Sequence, residues 1–341
     1  MKQRDNTIDI LRGLAIFTMV AANMSADNFA DPHPYWFRIF GSFAAPTFVF
    51  LAGLMVSYTS FHKSHPIGYY LKRGLAIICI AACIDMFLWG AVPFSTFDVL
   101  YIIGLSLPIG KLFYSLNKVV QFSIIAILFA LTPILQSNLG YIADPVEPEL
   151  KLFTTQGFQG AIVWKQFLID GWFPLFPWLG VSMLGMLVGK YRCETEIRKA
   201  NGTYSIFGAI VFIAGIVSWI IINPTLVERE GYSELFYPPT LMFFMAFLGG
   251  IILLLGTIYS VRENKILKVL CVFGRSSLLM YIMHTVFDVF VFQKFFGKYT
   301  LPYFAGLYFA HLIVLWIIAF CVQKFTKGKK LPFLLTLILG S

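Results

Sequence analysis

The chain is poor in charge. Asp, Glu, Lys and Arg make up 13% of its 341 residues, where a soluble domain carries about 25%. That scarcity excludes an ordinary water-soluble surface. Thiols are few as well: Cys79, Cys83, Cys193, Cys271 and Cys321. None falls in an expected outside loop, so no structural disulfide is expected. None has the paired spacing of a zinc site, and no metal is expected. Cys79 and Cys83, four apart in an apolar run, read as buried small hydrophobes. Internal repeats and low-complexity tracts are missing too.

What is abundant is apolar. Hydrophobic residues reach 58% and the mean hydropathy is +0.78. Phe, at 36 residues, and Tyr, at 16, suit lipid-facing surfaces and interfacial belts. A membrane-spanning helix needs about 20 mostly apolar residues. Such segments lie near 8–24, 37–59, 70–92, 97–114, 119–138, 172–190, 204–223, 239–260, 267–289 and 304–325. They predict an all-α, polytopic transmembrane bundle of about ten helices, forming a single membrane-embedded domain over 1–341. Lys2 and Arg4 before the apolar stretch Gly13–Ala22 imitate a signal peptide, but Asp9 and Arg12 interrupt its start. It is expected to be a retained first helix. After Lys327, Lys329 and Lys330, the apolar tail within 327–341 is too short to span and is expected to lie on the inner membrane surface.

The net charge of +9 invites a nucleic-acid partner. The distribution of the charge excludes one, because the basic residues gather at helix ends. With the N-terminus inside, only six of the 26 basic residues fall outside: Arg38, Lys151, Lys165, Arg229, Lys294 and Lys298. By the positive-inside bias, both termini are expected in the cytoplasm. The longest outside loop, about 138–171, carries Phe153, Phe158, Trp164 and Trp172. These aromatics suit either an interfacial belt or stacking on a sugar. Another loop holds Glu228, Arg229, Glu230 and Glu234, which read as a solvated segment.

Ionisable residues inside a membrane are costly, so each marks a candidate site. One layer, toward the cytoplasm, holds Arg12, Arg275, Lys72 and Arg73. Guanidinium groups match phosphate through paired donors, and the phosphates of CoA would suit them. Positive-inside anchoring explains Lys72 and Arg73 better, and Arg12 and Arg275 equally well. Asp9, three residues before Arg12, offers that arginine a local partner. The outer layer holds Asn23 at the end of the first helix, His33 in the loop after it, Asp85, Asp98, His284 and Asp288. Histidine moves protons near neutral pH and can carry an acyl group. Asp98 also suits a helix cap, and His311 reads as a packing residue. Arg12 to Asn23 is eleven residues along a helix, roughly 16 Å at 1.5 Å per residue, close to the reach of an extended pantetheine arm. An aqueous pore lined by Arg, Asp and His fits a transporter of a small polar or lipid-linked molecule too.

Several segments carry a resemblance. Ile8-Asp9-Ile10-Leu11-Arg12-Gly13-Leu14-Ala15 with Met19 and Asn23, and Ala45-Pro46-Thr47-Phe48-Val49-Phe50-Leu51-Ala52-Gly53, open it. Asp98-Val99-Leu100-Tyr101-Ile102-Ile103-Gly104-Leu105, the run from Gly171 to Gly180 and the run from Gly274 to His284 follow in order. Together these resemble the heparan-α-glucosaminide N-acetyltransferase-like family of transmembrane acyltransferases. The resemblance implies an acetyl-CoA-dependent N- or O-acyltransferase that moves acetyl from cytoplasmic acetyl-CoA to an amino sugar or other glycan acceptor across the bilayer. It places active-site residues on Asn23 and His33, with a second histidine on His284. Asp98 joins them as a candidate, and Arg12, Arg275, Lys72 and Arg73 are the candidates for CoA. The expected partners are the lipid bilayer, acetyl-CoA and the glycan acceptor, with a homodimer left open. Two features depart from the family: Ser42 stands where an acidic residue is common, and the large luminal domain of the animal enzyme is absent. With no disulfide expected either, a prokaryotic plasma membrane is the expected location.

Overall fold

A computed structural model describes residues 5–145 and 160–340. Phe153, Phe158 and Lys151, singled out above, lie outside the described residues, as do Lys2 and Arg4. The helices run in the order α1 (Asn6–Asn28), α2 (Tyr35–Ser42), α3 (Ala44–Lys63), α4 (Ile67–Ile84), α5 (Val99–Tyr114), α6 (Lys118–Leu139) and α7 (Gly160–Lys165). They continue as α8 (Leu175–Glu194), α9 (Ile197–Ile222), α10 (Leu241–Val261), α11 (Lys265–Arg275), α12 (Ser277–Phe287), α13 (Gln293–Phe295), α14 (Leu301–Thr326) and α15 (Phe333–Leu339). Short π-helical turns follow α4, α7 and α12. Among the described residues only two isolated bridges interrupt this all-α, polytopic architecture.

Seven helical spans are long and apolar enough to cross a membrane, or eight if the bent pair Val163–Asp170 and Leu175–Glu194 is one span. This is fewer than the ten expected, although a helix occupies each of the ten segments. The segment at 97–114 became α5, only 16 residues long. The segment at 267–289 is broken. Ser276 leaves the helical region (φ −114°, ψ 36°) between α11 and α12. Its hydroxyl donates to the Leu339 carbonyl at 3.1 Å and accepts from Gln323 Nε2 at 3.0 Å. Those partners come from α14 and α15, so no local pattern announces the break. The tail therefore packs partly against α12, with Leu337 buried.

The chain forms two compact units. The first comprises Met1–Phe48, Asn201–Tyr237 and Met245–Ser341. Here α1 lies backbone to backbone against α11. A Cβ on Gly13 would sit 2.1 Å from the Leu270 carbonyl oxygen, and one on Gly274 1.9 Å from that of Asp9. Only glycine permits so close an approach. Further along, Ile16, Val20 and Met24 pack with Met280, Leu315 and Ala319 into a dry core.

The second unit comprises Val49–Ala200 and Pro238–Phe244. Gly53 brings α3 onto α8, where a Cβ would lie 1.9 Å from the Ser182 carbonyl. Trp178 is fully buried and meets Phe244 edge to face at 5.2 Å. Cys79 and Cys83 are exposed, contrary to expectation. In a helix that faces lipid, a small apolar side chain need not be covered by protein.

Gly274→Leu is expected to force α1 and α11 apart and destabilise the protein by about 1–3 kcal/mol, as overpacking does. Gly306→Leu, where a Cβ meets nothing within 4 Å, is the matched control. Thermal unfolding in detergent reads the difference between them.

Candidate functional site

The first unit holds three polar layers along α1. The first lies one turn into the helix. Asp9 is 2% exposed, and its carboxylate is shared by two arginines. Arg12 Nη1 lies 3.8 Å from Oδ1, and Arg275 Nε lies 3.4 Å from Oδ2. The sequence placed both arginines in one layer, and the structure brings them onto one carboxylate. Their side chains keep 20% and 40% of their exposure.

The second layer joins α1 to α12. Asn23 lies more than a turn before the end of α1, not at its end as expected, because α1 runs on to Asn28. Its Nδ2 lies 3.0 Å from His284 Nε2. With the amide donating, Nε2 accepts and the ring proton resides on Nδ1. His284 is fully buried, whereas Asn23 is partly exposed. Asn23 is thus the accessible member of the pair. His311, read from sequence as packing, lies with its ring 5.5 Å from that of His284 and its Nδ1 3.2 Å from Met24 Sδ. Asp288 is 1% exposed one turn after His284, with Oδ1 unpartnered among the described residues.

The third layer caps the C-terminal end of α1. His33 is not a surface residue of its loop. It is buried, stacked on Phe29 at 4.9 Å and edge-on to Phe37. Its Nδ1 lies 2.8 Å from Ser233 Oγ, and its Nε2 lies 3.3 Å from the Phe29 carbonyl and 3.4 Å from Asp31 Oδ1. None of these partners is Asn23 or His284, so the two histidines are held separately. The Lys298 ammonium, 2.6 Å away, holds the Asp31 carboxyl below its usual range.

The loop before α10 supplies Ser233, and here the expected solvated segment is corrected. Arg229 and Glu234 are 1% and 6% exposed. Arg229 and Tyr232 exchange backbone hydrogen bonds of 2.9 and 2.8 Å around Glu230 and Gly231, at φ 49° and 83°. That is a tight reversal with two left-handed central residues. It turns the following Ser233 and Glu234 inward. Arg38 Nε donates to the Ser233 carbonyl at 2.7 Å, and Ser42 Oγ accepts from Leu235 N at 2.7 Å. Ser42 thus anchors this loop. No local pattern marks Ser233, except a Glu-Gly pair two residues before it.

In the second unit, Asp98 caps α5, accepting from Val99 N. Asp85 is buried and accepts from Thr96 Oγ1 at 2.9 Å and from the Tyr101 hydroxyl. Lys72 is exposed, and Arg73 reaches the Tyr69 hydroxyl at 3.0 Å over that ring's edge of α4. The described residues contain no group of three or more side chains able to hold a metal.

Burial pushes the Glu234 carboxyl up to about 7, with Arg38 opposing weakly. Between its ordinary value of 4.5 and about 7, the unfolded chain releases a proton that the folded one keeps. Stability is therefore expected to fall as pH rises through that window, by up to about 3 kcal/mol, and to level off above it. Glu234→Gln flattens the profile. Denaturation midpoints from pH 4.5 to 8 check this.

The family model described as heparan-alpha-glucosaminide N-acetyltransferase, catalytic, matches residues 4–221. A second model, for a protein of unknown function (DUF418), matches residues 188–327. No individual curated protein matches. Asn23, His33 and Arg12 fall in the first match, and His284 and Arg275 in the second, so the contacts Asn23–His284 and Asp9–Arg275 each join the two matched stretches. The first match covers well over half of the chain, and the protein belongs to the heparan-alpha-glucosaminide N-acetyltransferase catalytic family.

Proposed function

We propose that this protein transfers acetyl from cytoplasmic acetyl-CoA to an amino sugar, or another glycan acceptor, on the far side of a prokaryotic plasma membrane. The observation that carries the reading is the part-buried Asn23–His284 hydrogen bond, within a bundle of this family and about 16 Å along α1 from Arg12. Both termini lie in the cytoplasm, which places the Asp9–Arg12–Arg275 layer at the donor's entrance. The two guanidinium groups meet the CoA phosphates, and Asp9 keeps them aligned while the site is empty. The pantetheine arm then runs along α1 toward Asn23.

Asn23 donates its remaining amide hydrogen to the thioester oxygen as negative charge develops there. His284 accepts the other hydrogen and fixes the amide plane. His33, at the far end of α1, removes the proton from the acceptor's amine or hydroxyl as it attacks. Asp31 stabilises the imidazolium so formed.

Acetyl-CoA should bind the purified protein in calorimetry, and Arg275→Ala should weaken it about 10–100-fold, the worth of one lost charge-assisted contact to phosphate. Unchanged affinity in the variant removes Arg275 from the donor site. No binding by folded wild-type protein overturns the reading in favour of a transporter, which would show saturable uptake into liposomes.

A further inference from the structure

The cap at the end of α1 contains a serine, a histidine and an aspartate in series. Ser233 Oγ lies 2.8 Å from His33 Nδ1, and on the opposite side of the ring His33 Nε2 faces Asp31 Oδ1 at 3.4 Å. The Phe29 carbonyl lies on that same side at 3.3 Å. Two oxygen acceptors at Nε2 put the ring proton there. That leaves the Nδ1 lone pair to receive the hydrogen bond of the Ser233 hydroxyl. The order is nucleophile, base and orienting carboxylate, which is recognised by geometry and not by order along the chain.

Each member is held. Lys298 Nζ lies 2.6 Å from Asp31 Oδ2, leaving Oδ1 for the imidazole. The His33 ring is clamped flat on Phe29, with ring planes 7° apart. Ser233 follows the tight Arg229–Tyr232 reversal, its carbonyl is bound by Arg38, and Leu235 is bound by Ser42. A nucleophile fixed in this way by a supporting shell is preorganised for attack.

We propose that Ser233 is a covalent nucleophile, activated by His33 and Asp31, and that the acyl group passes through an O-acyl-serine. The proposal rests on the acyl-transfer reading above and names the residue that carries the group. The Ser233 oxygen attacks the thioester carbonyl while its proton moves to His33 Nδ1. The C–S bond breaks, and the departing thiolate takes that proton to leave as CoA thiol. The acceptor amine or hydroxyl then attacks the acyl-serine carbonyl and gives its proton to His33. The C–Oγ bond breaks, and Ser233 recovers its hydrogen from His33. No oxidant, reductant or metal is consumed.

The test uses the full-length protein in detergent, with two independent probes. Radiolabelled acetyl-CoA, given without acceptor, should leave label on the protein, and peptide mass spectrometry should place one acetyl group on Ser233. A fluorophosphonate should modify Ser233 in the wild type and fail to do so in His33→Ala. Ser233→Ala should lower acceptor acetylation by about 10³-fold or more, with folding checked by its unfolding midpoint. Acetyl on His33, or an acetylated acceptor with Ser233 unlabelled by either probe, overturns the proposal and leaves the acyl-transfer reading standing. Fluorophosphonate capture without acetyl capture keeps the serine nucleophile and overturns the acetyl-CoA donor alone. Failure of both probes with no acceptor acetylation overturns both.

Discussion

The close approach of α1 to the broken helix α11–α12 is the constraint on which the site depends. Contacts pair Asp9 with Arg275, Asn23 with His284 and Asn28 with the Phe292 carbonyl. Gly13 and Gly274 allow it, because any side chain there would strike the facing backbone. Once α1 is held at that distance, Asp9, Asn23 and Asn28 each have a partner within reach. In an apolar bundle this is a condition for folding as much as for chemistry, because an unpaired buried polar group costs about 1–3 kcal/mol. The break at Ser276, held by Gln323 and Leu339, separates α11, which touches α1 through glycine, from α12, which carries His284.

The cap at the end of α1 is built differently. Its residues come from the loop after α1, from α2 and from the loop before α10, and loop side chains hold one another there. Arg38, Ser42, Ser233 and His33 bond across these segments. Glu234 sits buried among them with one oxygen unpartnered among the described residues. A carboxyl group carried at that expense is retained protonated more easily than charged, which ties the cap's stability to pH. The Asp9 layer is different again. Arg12 and Arg275 stay partly exposed around one buried carboxylate.

Much of this was legible in the sequence, where the signal is local. Apolar runs located every long helix, since lipid demands about 20 apolar residues in a row. Arg12, Asn23, Arg275 and His284 stood out because ionisable and amide groups are rare in such runs, whereas His33, in a loop, was marked by the family resemblance. Their pairing was not legible. Asn23 and His284 are 261 positions apart, and His33 and Ser233 are 200 apart. No periodicity links residues so separated. Glu234 and Arg229 were misread as solvated because charge in a loop ordinarily faces water, and only the inward reversal at Glu230 and Gly231 overrides that.

The central claim is transfer across the bundle from a donor at one end of α1 to an acceptor at the other, and a sidedness assay tests it most directly. Sealed proteoliposomes would receive acetyl-CoA on the face carrying the chain termini, with glucosamine confined to the opposite compartment. The account predicts acetylated sugar in the compartment that never held acetyl-CoA, and none with His33→Ala. Acetylated sugar formed only when donor and acceptor share a compartment would contradict it.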